Sequence, residues 1–179
     1  NMDGETALLL TCRQGHLRIA ELLQEQDGID IATKDSLDNT CLHLACLSNN
    51  DELISHLLNH NEIDLGAQNI NTCFHTASMV GNAKIMSILL EKSKEQNIDI
   101  ETPLSISLST CHYDVAMVLI EEMEERELNL DKIFLMVCNS LTPNFSQRRI
   151  DIVEYLVKKP SININAAINA NGDTIFHIA

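Results

Sequence analysis

The sequence predicts an all-α fold built from stacked helix-turn-helix repeats. A motif that starts with Thr recurs at steps of 34, 32 and 30 residues, and its copies are Thr6–Thr11, Thr40–Ala45, Thr72–Ala77, Thr102–Ser107 and Thr174–Ala179. Self-similarity at such a period is typical of repeat proteins, whose units bury their apolar faces against their neighbours. Aromatic residues make up only 3% of the chain and Trp is absent. The core must therefore be aliphatic, which suits helix-on-helix packing.

Each copy of the motif predicts a first helix and a second helix. An apolar residue stands 13 residues after the Thr and a Leu four residues further on, in the pairs Ile19/Leu23, Leu53/Leu57, Ile85/Leu89 and Val115/Leu119. Residues four apart share one face of a helix, so we expect these pairs to face the core.

The ends of the first helix are also marked in the sequence. Thr can cap the start of this helix by accepting a backbone N–H. Gly15, Asn49 and Gly81 can end it in the left-handed conformation, which we expect Cys111 to tolerate poorly.

A fifth copy is hidden between the fourth and the last. Lys132 takes the Thr position, the second helix is Ile152–Leu156, and a seven-residue insertion falls within 140–148. The predicted repeats are residues 1–33, 34–67, 68–100, 101–130 and 131–166, with a partial sixth at 167–179. Because the chain starts and stops inside the pattern, we expect it to be a piece of a longer protein.

The recurring motif resembles the ankyrin repeat, whose period is about 33 residues and whose signature is Thr-Pro-Leu-His-x-Ala. Residues 13–17, Arg-Gln-Gly-His-Leu, resemble that family's turn between helices. The resemblance implies a right-handed, curved stack that binds other proteins through a concave groove and projecting finger loops. The junctions before Thr40 and Thr72 are long enough for fingers, at residues 33–38 and 68–71, whereas those before Thr102 and Lys132 are too short.

Charge and composition limit the partners. The chain carries 26 acidic and 12 basic residues, a net charge of -14. Such a field repels nucleic acid and anionic membranes, so we expect a protein partner with a basic or apolar patch. With no apolar run long enough to span a bilayer and six cysteines in no regular framework, we expect a cytoplasmic protein with free thiols.

Metal binding and catalysis are both disfavoured. The segments Cys41-x-His43 and Cys73-x-His75 look like ligand pairs, but they stand one repeat apart, about 10 Å between packed helices, which is too far for one tetrahedral ion. The resemblance implies instead that Cys replaces the signature Pro and that His forms hydrogen bonds between repeats. Cys111 and His112 are adjacent and would not face each other on a helix. We therefore predict no metal, no cofactor and no enzyme activity.

One repeat position stands out as a candidate contact. Seven residues after each Thr position come Arg13, Leu47, Met79, Ser109 and Asn139, and in the ankyrin family this position faces the groove. Apolar residues at this position predict an exposed hydrophobic strip that binds a partner, unless a finger or a flanking domain covers them. The predicted partner-binding residues are Arg13, Gln14, Lys34, Asp35, Leu37, Leu47, Ser48, Gln68, Asn69, Ile70, Met79, Val80, Ser109 and Thr110.

Two alternatives stay open at this stage. The array could be the targeting or substrate-recruiting arm of a larger enzyme or of a secreted bacterial effector that works in the host cytosol, since its Asn and Ile content resembles ankyrin proteins of intracellular bacteria. It could also be a structural spacer. The acidic run at residues 121–127 is either a solvated helix end or a docking patch for a basic partner.

Overall fold

The all-helical fold predicted from the sequence is confirmed. A computed structural model describes residues 5–59, 67–94, 98–139, 147–160 and 162, and all regular secondary structure in these ranges is α-helical. The chain divides into two compact units, residues 1–99 and 100–179. The described helices of the first unit are α1 (Ala7–Gln14), α2 (Leu17–Gln24), α3 (Cys41–Ser48), α4 (Asp51–Leu58), α5 (Ala67–Val80) and α6 (Ala83–Lys92). Those of the second unit are α7 (Glu101–Ser109), α8 (Tyr113–Glu125), α9 (Leu130–Asn139) and α10 (Gln147–Val157).

The first unit contains a row of first helices, each paired with a second helix. Helix α1 packs against α3 and α3 against α5, while α2, α4 and α6 contact the first helix of their own pair. The predicted core positions are confirmed in α4 and α6, where Leu53, Leu57, Ile85 and Leu89 are fully buried. The prediction is wrong for Ile19, which is 48% exposed, because α2 buries Ala20 instead.

The predicted Thr caps are confirmed at the first two repeats. The Thr6 hydroxyl accepts the N–H of Leu9 at 3.3 Å. At Thr40 the cap is a capping box in which His43 takes the place usually held by Glu or Gln. These side chains satisfy backbone N–H groups that the start of a helix leaves without partners.

The predicted caps at Thr72 and Thr102 are wrong, and so is the finger at residues 68–71. Helix α5 begins at Ala67, so Gln68, Asn69 and Ile70 lie in its first turns and Thr72 lies inside it. No Gly or Pro interrupts this stretch, and Ala and Gln favour helix. Helix α7 begins at Glu101, with Ile100 at its cap position, so Thr102 lies in its first turn.

The first helices end in left-handed turns, as the sequence predicts for Gly15, Asn49 and Gly81. Cys111 also adopts a positive φ of 62°, which contradicts the expectation. Two hydrogen bonds close the turn around it, from the Cys111 N–H to the Leu108 carbonyl at 3.3 Å and from the His112 N–H to the Ser107 carbonyl at 2.8 Å. This pairing is a Schellman motif, and it holds a residue other than Gly in place.

The second unit confirms the short junctions. Helix α7 starts directly after Ile100, and α9 starts at Leu130 with no finger before it. Helix α7 packs against α8, α9 against α10, and α8 also contacts both α9 and α10. Helix α10 contains the predicted second helix, with Ile152 and Leu156 buried. Most of the predicted insertion, and all of the partial repeat at 167–179, lie outside the described residues.

Candidate functional site

The first finger, residues 33–38, and the Asn39 that follows it are organised around the buried carboxylate of Asp35. One carboxylate oxygen accepts the N–H groups of Leu37 and Asn39, each at 2.9 Å, and the other accepts the Asn39 side-chain amide at 2.9 Å. Burial alone would raise the pKa of Asp35, but these hydrogen bonds, together with Arg13, outweigh it and lower the pKa. The finger is therefore a preorganised loop whose shape depends on an ionised Asp35.

Arg13 connects the end of α1 to this finger. Its guanidinium lies 3.8 Å from the Asp35 carboxylate and forms a second ion pair with Glu5. The contact places the repeat position seven residues after the Thr beside the finger. Leu47 and Met79 occupy the same position in the next two repeats, at the ends of α3 and α5.

Two large apolar side chains at this repeat position are exposed. Leu47 is 54% exposed and Met79 is 64% exposed, while the neighbouring Val80 is half-buried. Leu37, in the first finger, is 78% exposed. We call Arg13, Leu47 and Met79 the position-seven row. Exposed apolar side chains that recur at one repeat position are typical of a contact surface.

The other predicted site residues are distributed differently. Gln14 and Lys34 are exposed, and Ser48 is half-buried with its hydroxyl donating to the Ala45 carbonyl at 2.7 Å. Ser109 and Thr110 belong to the second unit, where both hydroxyls donate to the Ile106 carbonyl at 2.8 Å.

Three predicted site residues cannot act as finger residues. Gln68, Asn69 and Ile70 are helical, and their side chains lie outside the described residues. The structure thus brings together Arg13 and Asp35 but leaves the second predicted finger without a loop.

Some side chains of the acidic run at residues 121–127 form contacts within the second unit. Glu122 forms an ion pair with Arg126 at 2.7 Å. Glu124 accepts the Tyr155 hydroxyl at 2.6 Å and the Lys159 ammonium at 2.9 Å, and so joins α8 to the end of α10. Glu121 and Glu125 are exposed. The run is therefore in part a structural connection rather than a continuous docking patch.

The Cys-x-His segments have structural contacts. His43 is buried, and its Nδ1 lies 3.1 Å from the Thr40 N–H and 2.8 Å from the Thr40 hydroxyl. This contact lies within one repeat, and the hydrogen bond between repeats that the resemblance implies stays a prediction. Among the described residues, no group of three or more His, Cys, Asp or Glu side chains could hold a metal ion.

The cysteines of the first unit lie in its core. Cys12, Cys41, Cys46 and Cys73 are each at most 1% exposed, and they belong to helices α1, α3 and α5, of which α1 packs on α3 and α3 on α5. Sequence reasoning compared each Cys with the nearby His and did not predict this burial.

The helix pairs, the left-handed turns and the finger define a helical repeat scaffold. The family model described as ankyrin repeats matches in three copies, over residues 1–69 and 48–132. The chain belongs to the ankyrin-repeat family. Ankyrin repeats are generally protein–protein interaction modules.

Solved structures support the same fold. The crystal structure of the human ASB11 ankyrin repeat domain has a TM-score of 0.67 and 19% identity, covering 90% of this chain and 72% of that one. The ankyrin repeat domain of Bcl-3, a member of the IkappaB protein family, also has a TM-score of 0.67 and 19% identity, covering 98% of this chain and 79% of that one. No curated protein is significantly similar to this chain. None of the described helices combines the length and apolar character needed to cross a membrane.

Proposed function

We propose that the chain binds a partner protein through the position-seven row and the first finger. The observation that carries this proposal is the exposure of Leu47 and Met79 at the same repeat position, on helices that pack against each other. Burying an apolar side chain is worth about 25 cal/mol for each Å² removed from water. A partner that covers both residues gains this free energy without any rearrangement of the buried core.

The finger and Arg13 support binding by fixing the edge of this surface. Asp35 holds the loop through four hydrogen bonds with Leu37 and Asn39, and Arg13 contacts its carboxylate. A loop already held in one conformation loses little entropy when a partner binds. Leu37 is therefore presented by a preorganised loop rather than by a flexible one.

Charge favours a partner with an apolar centre and basic surroundings. The net charge of the chain is -14. Arg13 is already paired with Glu5 and Asp35, whereas Asp38 beside Leu37 is exposed. Attraction at a distance raises the association rate, while the apolar contact determines how slowly the complex dissociates.

The experiment compares substitutions at exposed apolar residues of the two units. Leu47→Asp and Met79→Asp should each weaken the complex with a captured partner at least tenfold, because contact residues of this kind contribute about 2 kcal/mol or more. Leu128→Asp is the matched control, since Leu128 is 42% exposed but lies in the second unit. Circular dichroism and the melting temperature should stay unchanged in all three variants.

The opposite pattern would contradict the proposal. If Leu128→Asp abolished binding and both position-seven variants bound normally, the partner would contact the second unit instead. If no apolar variant changed binding, the exposed apolar row would have no part in recognition.

We also propose the sequence-derived repeat boundaries, 1–33, 34–67, 68–100, 101–130 and 131–166, as the structural repeats of the chain. The support is that the described helices come in five consecutive pairs, which follow these ranges to within one residue. A cytoplasmic location is proposed on the ground that all six cysteines are thiols, four of them packed in the interior of the first unit.

A further inference from the structure

A cavity of about 370 Å³ lies between α8 and α10 of the second unit. Its size is within the range of pockets that hold small ligands. Its lining includes residues of both helices, namely Tyr113, Asp114 and Met117 of α8, and Arg148, Asp151 and Tyr155 of α10. The last two residues lie three and seven positions after Arg148, so the three share one face of α10. The cavity is therefore a groove between one face of each helix.

The walls of the groove are aromatic and aliphatic. Tyr113 and Ile152 are buried, and Met117 and Tyr155 are half-buried beside them. The Lys159 ammonium already lies over the Tyr155 ring, 4.3 Å from its centroid, so this ring attracts a cation. A flat and weakly hydrated cation suits such walls, because it loses little hydration when it packs against rings and methylene groups.

The exposed part of the groove carries an excess of negative charge. Asp114 and Arg148 form an ion pair at 2.6 Å, in which both side chains are exposed. Asp151 is exposed and accepts the Gln147 amide at 3.2 Å. Within the part of the chain that the structure describes, no Lys or Arg forms an ion pair with Asp151. Two carboxylates and one guanidinium leave one uncompensated negative charge, which attracts a cation.

We propose that this groove binds an arginine side chain of a partner protein. The guanidinium pairs with the Asp151 carboxylate, and its flat face and methylene stem contact Met117 and the two tyrosines. Arginine suits the groove better than lysine does, because a guanidinium pairs with a carboxylate through two parallel hydrogen bonds and packs against rings. The site lies in the second unit and does not use the position-seven row, so each proposal can fail without the other.

Arg148 supports this choice of ligand. It lines the groove, and its guanidinium pairs with Asp114 rather than with Asp151, three residues further along the same face. The groove thus already accommodates one guanidinium beside a carboxylate, and the second carboxylate remains for a partner. Because exposed side chains border the groove, the backbone of the partner can stay outside while one side chain enters.

The test uses tyrosine fluorescence of the whole protein. The chain contains two tyrosines and no tryptophan, and both tyrosines line the groove. The intrinsic fluorescence of the folded chain therefore reports on this one site. The probe is N-acetyl-arginine amide, which represents an arginine inside a protein. The control probe is N-acetyl-citrulline amide, which has nearly the same shape and no charge. The urea-unfolded chain controls for quenching without binding.

We expect a saturable change in fluorescence with the arginine probe. Its dissociation constant should be on the order of 1 mM, as expected for a ligand of about 15 non-hydrogen atoms. The citrulline probe should bind about fivefold more weakly or less, because it cannot form the charged hydrogen bonds. Asp151→Asn should weaken the arginine probe to a similar extent. Glu154→Gln is the matched control and should change nothing, because Glu154 is exposed on the same helix but does not line the groove.

Four results would overturn the proposal. One is equal binding of the arginine and citrulline probes, or no saturable change well above about 1 mM of the arginine probe. Another is an equal effect of Asp151→Asn and Glu154→Gln, which would indicate only a general attraction of cations. The third is saturable binding of inorganic phosphate without binding of arginine. The fourth is tighter binding of free arginine than of its blocked derivative, which would indicate a site for the amino acid itself. The comparison of probes on the unchanged protein decides the question even if Asp151→Asn fails to fold.

Discussion

The two units join successive helix pairs through different side chains. In the first unit some connections are uncharged: the Asn50 amide donates to the Gly15 carbonyl at 2.8 Å, and the Asn82 amide donates to the Asn49 side chain at 2.7 Å. In the second unit three of them are ion pairs, between Arg148 and Asp114 at 2.6 Å, between Lys159 and Glu124 at 2.9 Å, and between Lys132 and Glu101, beside the hydrogen bond from Tyr155 to Glu124. All of these pairs join residues 31 to 35 positions apart, which is about one repeat.

The difference shows that one repeat spacing can be satisfied by two kinds of chemistry. An amide that bonds a turn carbonyl is short-ranged and insensitive to salt, whereas an exposed ion pair weakens as salt screens it. The first unit also has charged connections: Lys84 with Asp51, Arg13 with Asp35, and the Lys92 ammonium, which donates to the Asn59 side chain at 2.8 Å. We therefore expect the apolar cores of the two units to respond alike to substitution, and their polar connections to respond differently.

The largest expected effect is in the core and should be equal in the two units. Leu57→Ala, Leu89→Ala and Leu119→Ala should each cost about 2–5 kcal/mol of unfolding free energy, because all three side chains are fully buried. Urea unfolding followed by circular dichroism measures this. Leu128→Ala is the exposed control. Losses below about 1 kcal/mol at the buried positions would mean that the repeat register is wrong.

Substitutions at the polar connections between repeats should distinguish the two units more clearly than the core substitutions do. The Asn50 side chain caps α4 by accepting the Leu53 N–H at 3.0 Å, and it also bonds the Gly15 carbonyl. Asn50→Ala should cost about 1–3 kcal/mol, since it removes a helix cap and a bond between repeats. Lys132→Ala breaks an exposed ion pair and should cost about 0–1 kcal/mol.

Salt provides the control for this comparison. Added sodium chloride should abolish the effect of Lys132→Ala and leave that of Asn50→Ala unchanged in urea unfolding. An Asn50→Ala effect that disappeared in salt would contradict the distinction between the two units.

The repeat register could be predicted because many positions recur at the same spacing in successive repeats. The second-helix pairs at Leu53 and Ile85 repeat the same spacing, and each is buried. The start of α5 could not be predicted from the repeat pattern. With a repeat of fixed length, residues that the two helices do not account for are assigned to a loop. Nothing between Ala67 and Thr72 stops a helix, so the helix extends over the residues that the pattern assigned to a finger.

The candidate surface was only partly predictable. Leu47 and Met79 follow from their repeat position, and both are exposed. The contact of Arg13 with Asp35 depends on the folded shape of the finger, which spacing does not specify. The left-handed Cys111 depends on two hydrogen bonds to the end of α7 that outweigh the preference of the residue itself.

The smallest expected effect is the pH dependence that Glu124 gives to the second unit. Burial would raise the pKa of Glu124, but hydrogen bonds from Tyr155 and Lys159 lower it below its value in the unfolded chain. Its contribution is therefore present above the unfolded pKa of about 4.3 and is lost as the pH falls through the folded pKa.

Glu124→Gln tests this dependence. The variant should lower the urea midpoint at pH 7, and the gap to the unchanged protein should narrow as the pH falls below about 4. Glu125→Gln is the matched control, because Glu125 is exposed on the same helix turn. A gap that stayed constant from pH 7 to pH 3 would show that the Glu124 charge does not stabilise the contact with α10.

The turn at Gly15 bears on how such a protein can be rebuilt by exchanging repeats. A Cβ added at Gly15 would lie 3.2 Å from the Ser48 hydroxyl and 3.4 Å from the Asn50 Cβ, and the Gly15 carbonyl is bonded by Asn50. The turn that ends one helix is thus completed by atoms of the following repeat. If a repeat is excised at its fingers and inserted elsewhere, its Asn loses the carbonyl of the preceding repeat to which it donates. The unit that keeps its contacts on transfer is the junction between two repeats. Repeats are therefore better exchanged at points inside helices than at the boundaries between repeats.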